Sequence, residues 1–272
     1  MISKNLNGKV AVITGGASGI GAAIARKFGT MGSRIALLDL DREEAVREAE
    51  ELKKSGVEAI GIGCDVSIEE QCASAVEQVI QTYGGIDILV NNAGITQRSV
   101  FTRTDMSVYK KIMDVNFFGS LYCTKAAIKS LLERKGVIVV TTSIAGIAPL
   151  LGRTGYSASK HALHGFFESL RSELKFSDVH VMMLCPGFTR TNLQSKALDG
   201  NGSLNTGKRS IAGNEATPES VAEAVYRGVI KRKREIVLTP VGKLSSLIIR
   251  FFPALYEKIM TDSVKSEFEA DL

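Results

Sequence analysis

The chain has 272 residues, 44% apolar and 23% charged, which suits a large buried core and argues against an intrinsically disordered chain. Its net charge of +5 is mildly basic, but no basic stripe interleaved with aromatics marks a nucleic-acid surface, and there is no Trp. Four separated cysteines with no Cys-x-x-Cys pair, three histidines without a metal-site pattern and a polar N-terminus predict a cytoplasmic protein with neither disulfide framework nor metal centre.

The first predicted strand, Lys9–Thr14, runs into Thr14-Gly15-Gly16-Ala17-Ser18-Gly19-Ile20-Gly21, and a helical pattern follows over 19–31. A glycine turn between strand and helix lets the backbone approach a pyrophosphate, and the helix N-terminus supplies N–H groups and partial positive charge. Gly15, Ser18, Gly19, Ile20 and Gly21 are therefore candidate cofactor contacts, with a plain tight loop as the alternative. The second strand, Arg34–Asp39, ends on Asp39, 18 residues after Gly21. An acid there meets the adenosine ribose and repels a 2′-phosphate, so NAD is expected over NADP.

A helix over 42–55 and a strand over Glu58–Cys64 lead to Asp65-Val66. A helix over 68–83 and a strand over Ile86–Asn91 lead to Asn92-Ala93-Gly94. Open α/β sheets bind ligands at such strand ends, so Asp65, Val66, Asn92, Ala93 and Gly94 join the candidate site, against a reading as turn chemistry. A helix over 105–133 carries Asn116, and a strand over Gly136–Thr142 precedes Ser143.

Tyr156-Ser157-Ala158-Ser159-Lys160 opens a helix over 155–176, and the spacing of four puts Tyr156 and Lys160 on one face. A free tyrosine titrates near pH 10, and a neighbouring ammonium is expected to lower that value. Such a pair exchanges a proton with a carbonyl or alcohol oxygen. Ser143, 13 residues upstream, is placed to meet Tyr156 at the sheet edge. His161 and His164 also lie on this helix, with no third ligand expected beside them.

The strand Val179–Cys185 is followed by a Gly-, Asn-, Ser- and Thr-rich connection over 188–216, long enough to be either functional or disordered. A helix over 217–231, ending in the basic run Lys231 to Arg234, and a strand over Glu235–Leu238 complete the alternation. Residues 241–260 read as an apolar helix with a narrow polar stripe of Lys243, Arg250 and Glu257, broken at Pro253. No uninterrupted apolar run approaches the roughly 20 residues of a membrane span. Apolar strands alternating with helices predict one α/β domain over 1–272, a doubly wound parallel sheet of Rossmann type with about seven strands and helices on both faces.

With these motifs in order, residues 7–240 resemble the short-chain dehydrogenase/reductase family. The resemblance rests on Thr14 to Gly21, Asp65-Val66, Asn91 to Gly94, Asn116, Ser143, Tyr156 to Lys160 and Pro186-Gly187-Phe188-Thr189-Arg190-Thr191. The family often has Val where this chain has Thr189. The resemblance implies a nicotinamide-dependent oxidoreductase that reduces carbonyls or oxidises alcohols. Tyr156 is then the acid/base, Lys160 holds the nicotinamide ribose and tunes Tyr156, Ser143 binds the substrate oxygen, and Asn116 holds a water linked to Lys160. Pro186, Gly187, Thr189 and Thr191 are then cofactor contacts, Thr191 on the carboxamide. The resemblance also implies a substrate lid over 188–216, here with Leu193, Ala197, Leu198, Leu204 and Ile211, and a homodimer or homotetramer pairing through helices 105–133 and 155–176. The apolar lid and the extension over 241–272 point to a hydrophobic, lipid- or steroid-like substrate. The extension is expected to pack over the substrate mouth or a subunit contact rather than in a membrane interface. A sugar-nucleotide epimerase or a non-catalytic NAD-binding module fits less well. The first needs a different glycine turn and a larger C-terminal domain, and the second need not keep Asn116, Ser143, Tyr156 and Lys160 together.

Overall fold

The computed structural model describes residues 6–191, 193, 195–207 and 215–268. The β-branched runs form seven strands: β1 (Val10–Thr14), β2 (Arg34–Asp39), β3 (Ala59–Gly63), β4 (Ile88–Asn91), β5 (Val137–Thr141), β6 (His180–Cys185) and β7 (Glu235–Val237). Their order is β3-β2-β1-β4-β5-β6-β7, and every pairing is parallel. The expected doubly wound sheet is present, with each strand starting or ending within two residues of its predicted bounds.

Alternation along each strand fills two cores. Ile13, Leu37, Val90, Val139 and Leu184 pack on one face with Ile24 and Phe28 of α1 (Gly19–Thr30), Leu52 of α2 (Arg42–Lys54) and Val225 of α7 (Pro218–Ile230). Val12, Leu38, Leu89, Val140 and Met183 pack on the other face with Val79 of α3 (Glu69–Tyr83), Leu131 of α5 (Gly119–Arg134) and Phe167 of α6 (Thr154–Glu173). Each fully buried Phe or Leu contributes about 1.5–3 kcal/mol of burial, so both faces anchor the sheet. Because β1 lies between β2 and β4, the chain winds away in opposite directions from this point. The crevice that results opens at the C-terminal ends of β1 and β4.

One predicted element differs in detail. The helix expected over 105–133 is α4 (Met106–Met113) and α5, joined by a π-helical turn over Asp114–Phe118. Asn116 therefore sits in a widened turn and not in a regular helix interior. Such turns are frequent at functional sites, because the extra residue releases a backbone group from the regular ladder. The C-terminal pattern divides as foreseen near Pro253, into α8 (Pro240–Phe251) and α9 (Pro253–Val264). Pro253 occupies the first turn of α9, where its missing N–H leaves no bond unmade. At α8, Pro240 plays the same part, and the Thr239 hydroxyl accepts from Gly242 N at 3.0 Å.

Candidate active site

The glycine turn after β1 is shaped by contacts that leave no room for side chains. A Cβ on Gly21 would lie 2.1 Å from the Gly15 carbonyl, and one on Gly15 would lie 2.9 Å from Ala93 Cα. Gly15 and Gly19 both adopt the left-handed conformation, at φ +60° and +54°. Thr14 ties this turn to the end of β4, its hydroxyl accepting from Asn92 N at 2.9 Å and Ala93 N at 3.0 Å. Asn92 Nδ2 returns the link to the Thr14 carbonyl at 3.0 Å and the Gly15 carbonyl at 3.2 Å. The Asp39 carboxylate accepts from Ala17 N at 3.0 Å, so the acid at the end of β2 is braced against the same turn. Asp65 accepts from both the N–H and the hydroxyl of Ser67, at 2.9 and 2.6 Å, which is the turn chemistry considered for it.

A cleft of about 1110 Å³ runs along this sheet edge. It is lined by Gly15, Ser18, Gly19, Ile20, Asp39, Asp65, Val66, Asn92, Ala93 and Gly94 at one end. Ser143, Tyr156, Lys160, Pro186, Gly187, Thr189 and Thr191 complete its wall. Thr191 closes over the glycine turn, since a Cβ on Gly19 would meet its side chain at 3.3 Å. Of the predicted positions, Gly21 and Asn116 do not line the cleft. Gly21 is packed inside the turn. Asn116 is a brace: its Oδ1 accepts from Ile95 N at 2.8 Å, and its Nδ2 donates to the Ile95 carbonyl and the Ser159 hydroxyl, both at 2.9 Å. Ser159 in turn donates to the Tyr156 carbonyl at 2.8 Å, so Asn116 holds the first turn of α6 in place.

Tyr156, Ser143 and Lys160 converge in the middle of the cleft. Lys160 is buried, and its ammonium donates to the Thr141 carbonyl at 2.8 Å. Burial pulls its pKa down to about 8, because a low-dielectric site disfavours the charged form. The Tyr156 phenol is not lowered as expected. Burial raises its pKa, while hydrogen bonding from Ser143 and the charge of Arg153 oppose that rise. Lys160 lies 5.7 Å from the Tyr156 ring centroid, and the same burial that raises Tyr156 weakens its hold on a proton. Gly94 completes the pocket floor, for a Cβ there would come within 3.1 Å of Asn116 Oδ1 and 3.5 Å of Lys160 Nζ.

Several contributors were not anticipated. Arg153 lines the cleft three residues before Tyr156, and its guanidinium lies 3.6 Å from Glu267, which also faces Arg98 at 3.6 Å. The sequence signal was a cation at the mouth of the Tyr156 helix, but its acidic partner is more than a hundred residues away. Gln97 accepts from Tyr156 N at 2.9 Å, and Tyr256 of α9 bonds the carbonyls of Ala148 and Pro149 at 3.0 and 2.9 Å. The expectation about the histidines changes as well. His161 bonds the Ser157 carbonyl, whereas His164 gathers with Cys185 and Glu235. The Cys185 thiol is 3.3 Å from Glu235 Oε1 and 3.8 Å from His164 Nε2. Burial pushes this thiol well above its ordinary range, so it stays neutral and donates to Glu235. Of the lid residues, Leu198 packs with Val108 and Ile112, while Ile211 lies outside the described residues.

A sequence profile described as short chain dehydrogenase matches residues 9–202. The chain is similar to dehydrogenase/reductase SDR family member 7B of Danio rerio, 32% identical over 97% of this chain and 88% of that protein. The Rattus norvegicus protein of the same name is 34% identical over 96% and 83%. Among solved structures, a short chain dehydrogenase/reductase from Burkholderia phymatum in complex with NAD superposes with a TM-score of 0.83. It is 24% identical and covers 92% of this chain and 96% of that one. An alcohol dehydrogenase from Thermococcus sibiricus complexed with 5-hydroxy-NADP gives 0.73 at 28% identity, over 85% and 95%. With the glycine turn, the strand-end residues and the Ser143, Tyr156 and Lys160 side chains on one cleft, the chain is an oxidoreductase that belongs to the short-chain dehydrogenase/reductase family.

Proposed function

We propose that this protein interconverts a carbonyl and a secondary alcohol on a hydrophobic substrate with NAD(H), using Tyr156 as acid and base. The observation that carries this reading is the convergence of Tyr156, Ser143 and Lys160 on the cleft that also holds the glycine turn. The residues fit a dinucleotide: Gly15, Gly19 and Gly94 line the cleft with bare backbone, which lets a pyrophosphate approach the N–H groups of the turn. When bound, the nicotinamide supplies or accepts the hydride.

In reduction, the Tyr156 hydroxyl gives its proton to the substrate oxygen, and in oxidation it takes one. Ser143 stabilises charge developing on that oxygen and on the phenolate. Lys160 stands behind Tyr156 on the same helix face, oriented by the Thr141 carbonyl to reach the ribose. Asn116 is a positioning residue that acts through Ser159. Asp39, presented at the end of β2, favours ribose hydroxyls over a 2′-phosphate, which supports NAD over NADP. The segment over 188–216 serves as the substrate lid. Leu150, Leu193, Leu198 and Val241 line the cleft beyond Tyr156, in keeping with an apolar substrate. Exposed aromatics Phe118 of the π turn and Phe166 of α6 meet Phe117 edge to face, with Phe118 also stacked on Tyr122 and Phe166 edge to face with Phe167, and support a subunit contact on that face; a monomeric mass in solution would contradict it.

Tyr156→Phe tests the reading. It should retain NADH binding, measured by fluorescence titration, and lose nearly all turnover on a panel of ketones. Turnover close to the parent's would remove Tyr156 from the chemistry.

A further inference from the structure

On α8, Leu244, Leu247, Ile248 and Phe251 follow the i, i+3, i+4, i+7 spacing that ordinarily turns a helix toward its core. Here the stripe faces outward. Leu244 is 57% exposed, Leu247 56% and Phe251 62%. The opposite side of the helix is the one that packs: Gly242 is buried, and a Cβ on it would meet the Ile144 side chain at 2.6 Å. Phe252 at the break, and Leu255 and Ile259 on α9, extend the patch with exposures of 63%, 49% and 52%. A contiguous exposed apolar surface of this kind marks an interaction site and not scattered surface hydrophobics.

The charges beside the stripe select the partner. Lys243 and Arg250, seven residues apart, lie on one flank, and α8 carries no acidic residue. On α9, Asp262 is paired with Lys265 at 3.6 Å and the exposed acid Glu257 is offset by exposed Lys258, so the charges of Lys243 and Arg250 remain in excess. A second copy meeting α8 across a two-fold axis would set this acid-free helix against itself, cation flank included. An anionic lipid surface instead offers hydrocarbon to the stripe and phosphate to the cations, whose long stems let them reach headgroups from the flank. No helix among the described residues is long and apolar enough to cross a membrane, so the contact is peripheral.

We infer that α8, with the start of α9, docks this protein on an anionic lipid bilayer. Val241, Gly242 and Ser245 of α8 and Tyr256 of α9 also line the active cleft. One helix thus has its outer side in the lipid interface and its inner side on the cleft wall. If the proposed oxidoreductase reading holds, this puts the cleft mouth beside the lipid, where an apolar substrate dissolves.

The test is co-sedimentation of the full chain with phosphatidylcholine vesicles, with and without phosphatidylserine, alongside light scattering without lipid. Binding should be stronger with phosphatidylserine and weaken about fivefold for Lys243→Gln or Arg250→Gln. The double variant Leu247→Ser/Phe251→Ser, which touches no cleft residue, should weaken it at least about tenfold with an unchanged melting temperature and solution mass. A parent chain that fails to sediment with either vesicle overturns the inference. So does a double variant that binds as the parent does, or one whose oligomeric mass falls, which would assign the stripe to a second copy. None of these readouts needs turnover, so a failure of the oxidoreductase reading would leave them intact.

Discussion

Replacing Lys160 by Met is expected to abolish turnover and to make the protein more stable at pH 7. Burial pulls the lysine pKa from 10.5 to about 8. That difference opposes folding of the charged form by roughly 3 kcal/mol, at about 1.4 kcal/mol per pH unit. Methionine removes this cost and fills similar volume. It also forfeits the bond to the Thr141 carbonyl, worth about 1 kcal/mol or somewhat more for an acceptor left buried. The net gain is about 1–2 kcal/mol, or a rise of roughly 3–6 °C for a chain of this size. The pH dependence fixes the cause. Between pH 8 and 10.5 the unfolded chain holds the lysine proton and the folded chain does not, so the stability of the parent rises with pH in that window. The penalty is present in full below pH 8 and fades toward 10.5. Thermal unfolding of parent and variant at pH 7 and pH 10 measures this directly. A variant less stable than the parent by the same amount at both pH values would show that burial of the Lys160 charge does not oppose folding.

Ser143→Ala should lower kcat by about 10²–10³, the loss typical of one donor to a developing oxyanion. Because Ser143 also holds the Tyr156 pKa down, the rising limb of the pH–rate profile for alcohol oxidation should move to higher pH. Asp39→Asn should weaken NAD about 10–100-fold, the worth of hydrogen bonds to a charged acceptor, and narrow the preference over NADP; isothermal titration with both nucleotides checks this. Glu267→Gln removes the counter-charge that buried Arg98 and Arg153 share while each still donates to a backbone carbonyl, and should cost about 1–3 kcal/mol in chemical denaturation. A loss under 1 kcal/mol would mean that solvent screens the cluster.

The sheet was legible because its strands are short β-branched runs bounded by turns, and the alternation of Val10 to Thr14 already separates the two cores. The site was legible where spacing alone carries the geometry: the glycine turn, Asp39 at a strand end, and Tyr156 and Lys160 one helical turn apart. Three features were not. The π turn at Asn116 replaces one hydrogen-bonded turn by a slightly wider one, which no period of apolar residues records. The charge of Lys160 alone predicts a lowered Tyr156 pKa, whereas burial raises it, and Ser143 and Arg153 are the groups that oppose the rise. The outward face of α8 was hidden because its periodicity is that of a core-facing helix, and only the packing of Gly242 on Ile144 reveals which side turns inward.

Hydride transfer in this cleft is followed directly by isotope labelling. Parent protein, 4-deuterated NADH of each stereochemistry and a long-chain ketone are incubated together, and the alcohol is analysed by mass spectrometry. One deuterium is expected on the carbinol carbon from one of the two NADH stereoisomers, and none when Tyr156 is Phe. Alcohol formed without deuterium from either isomer would contradict hydride transfer in this cleft.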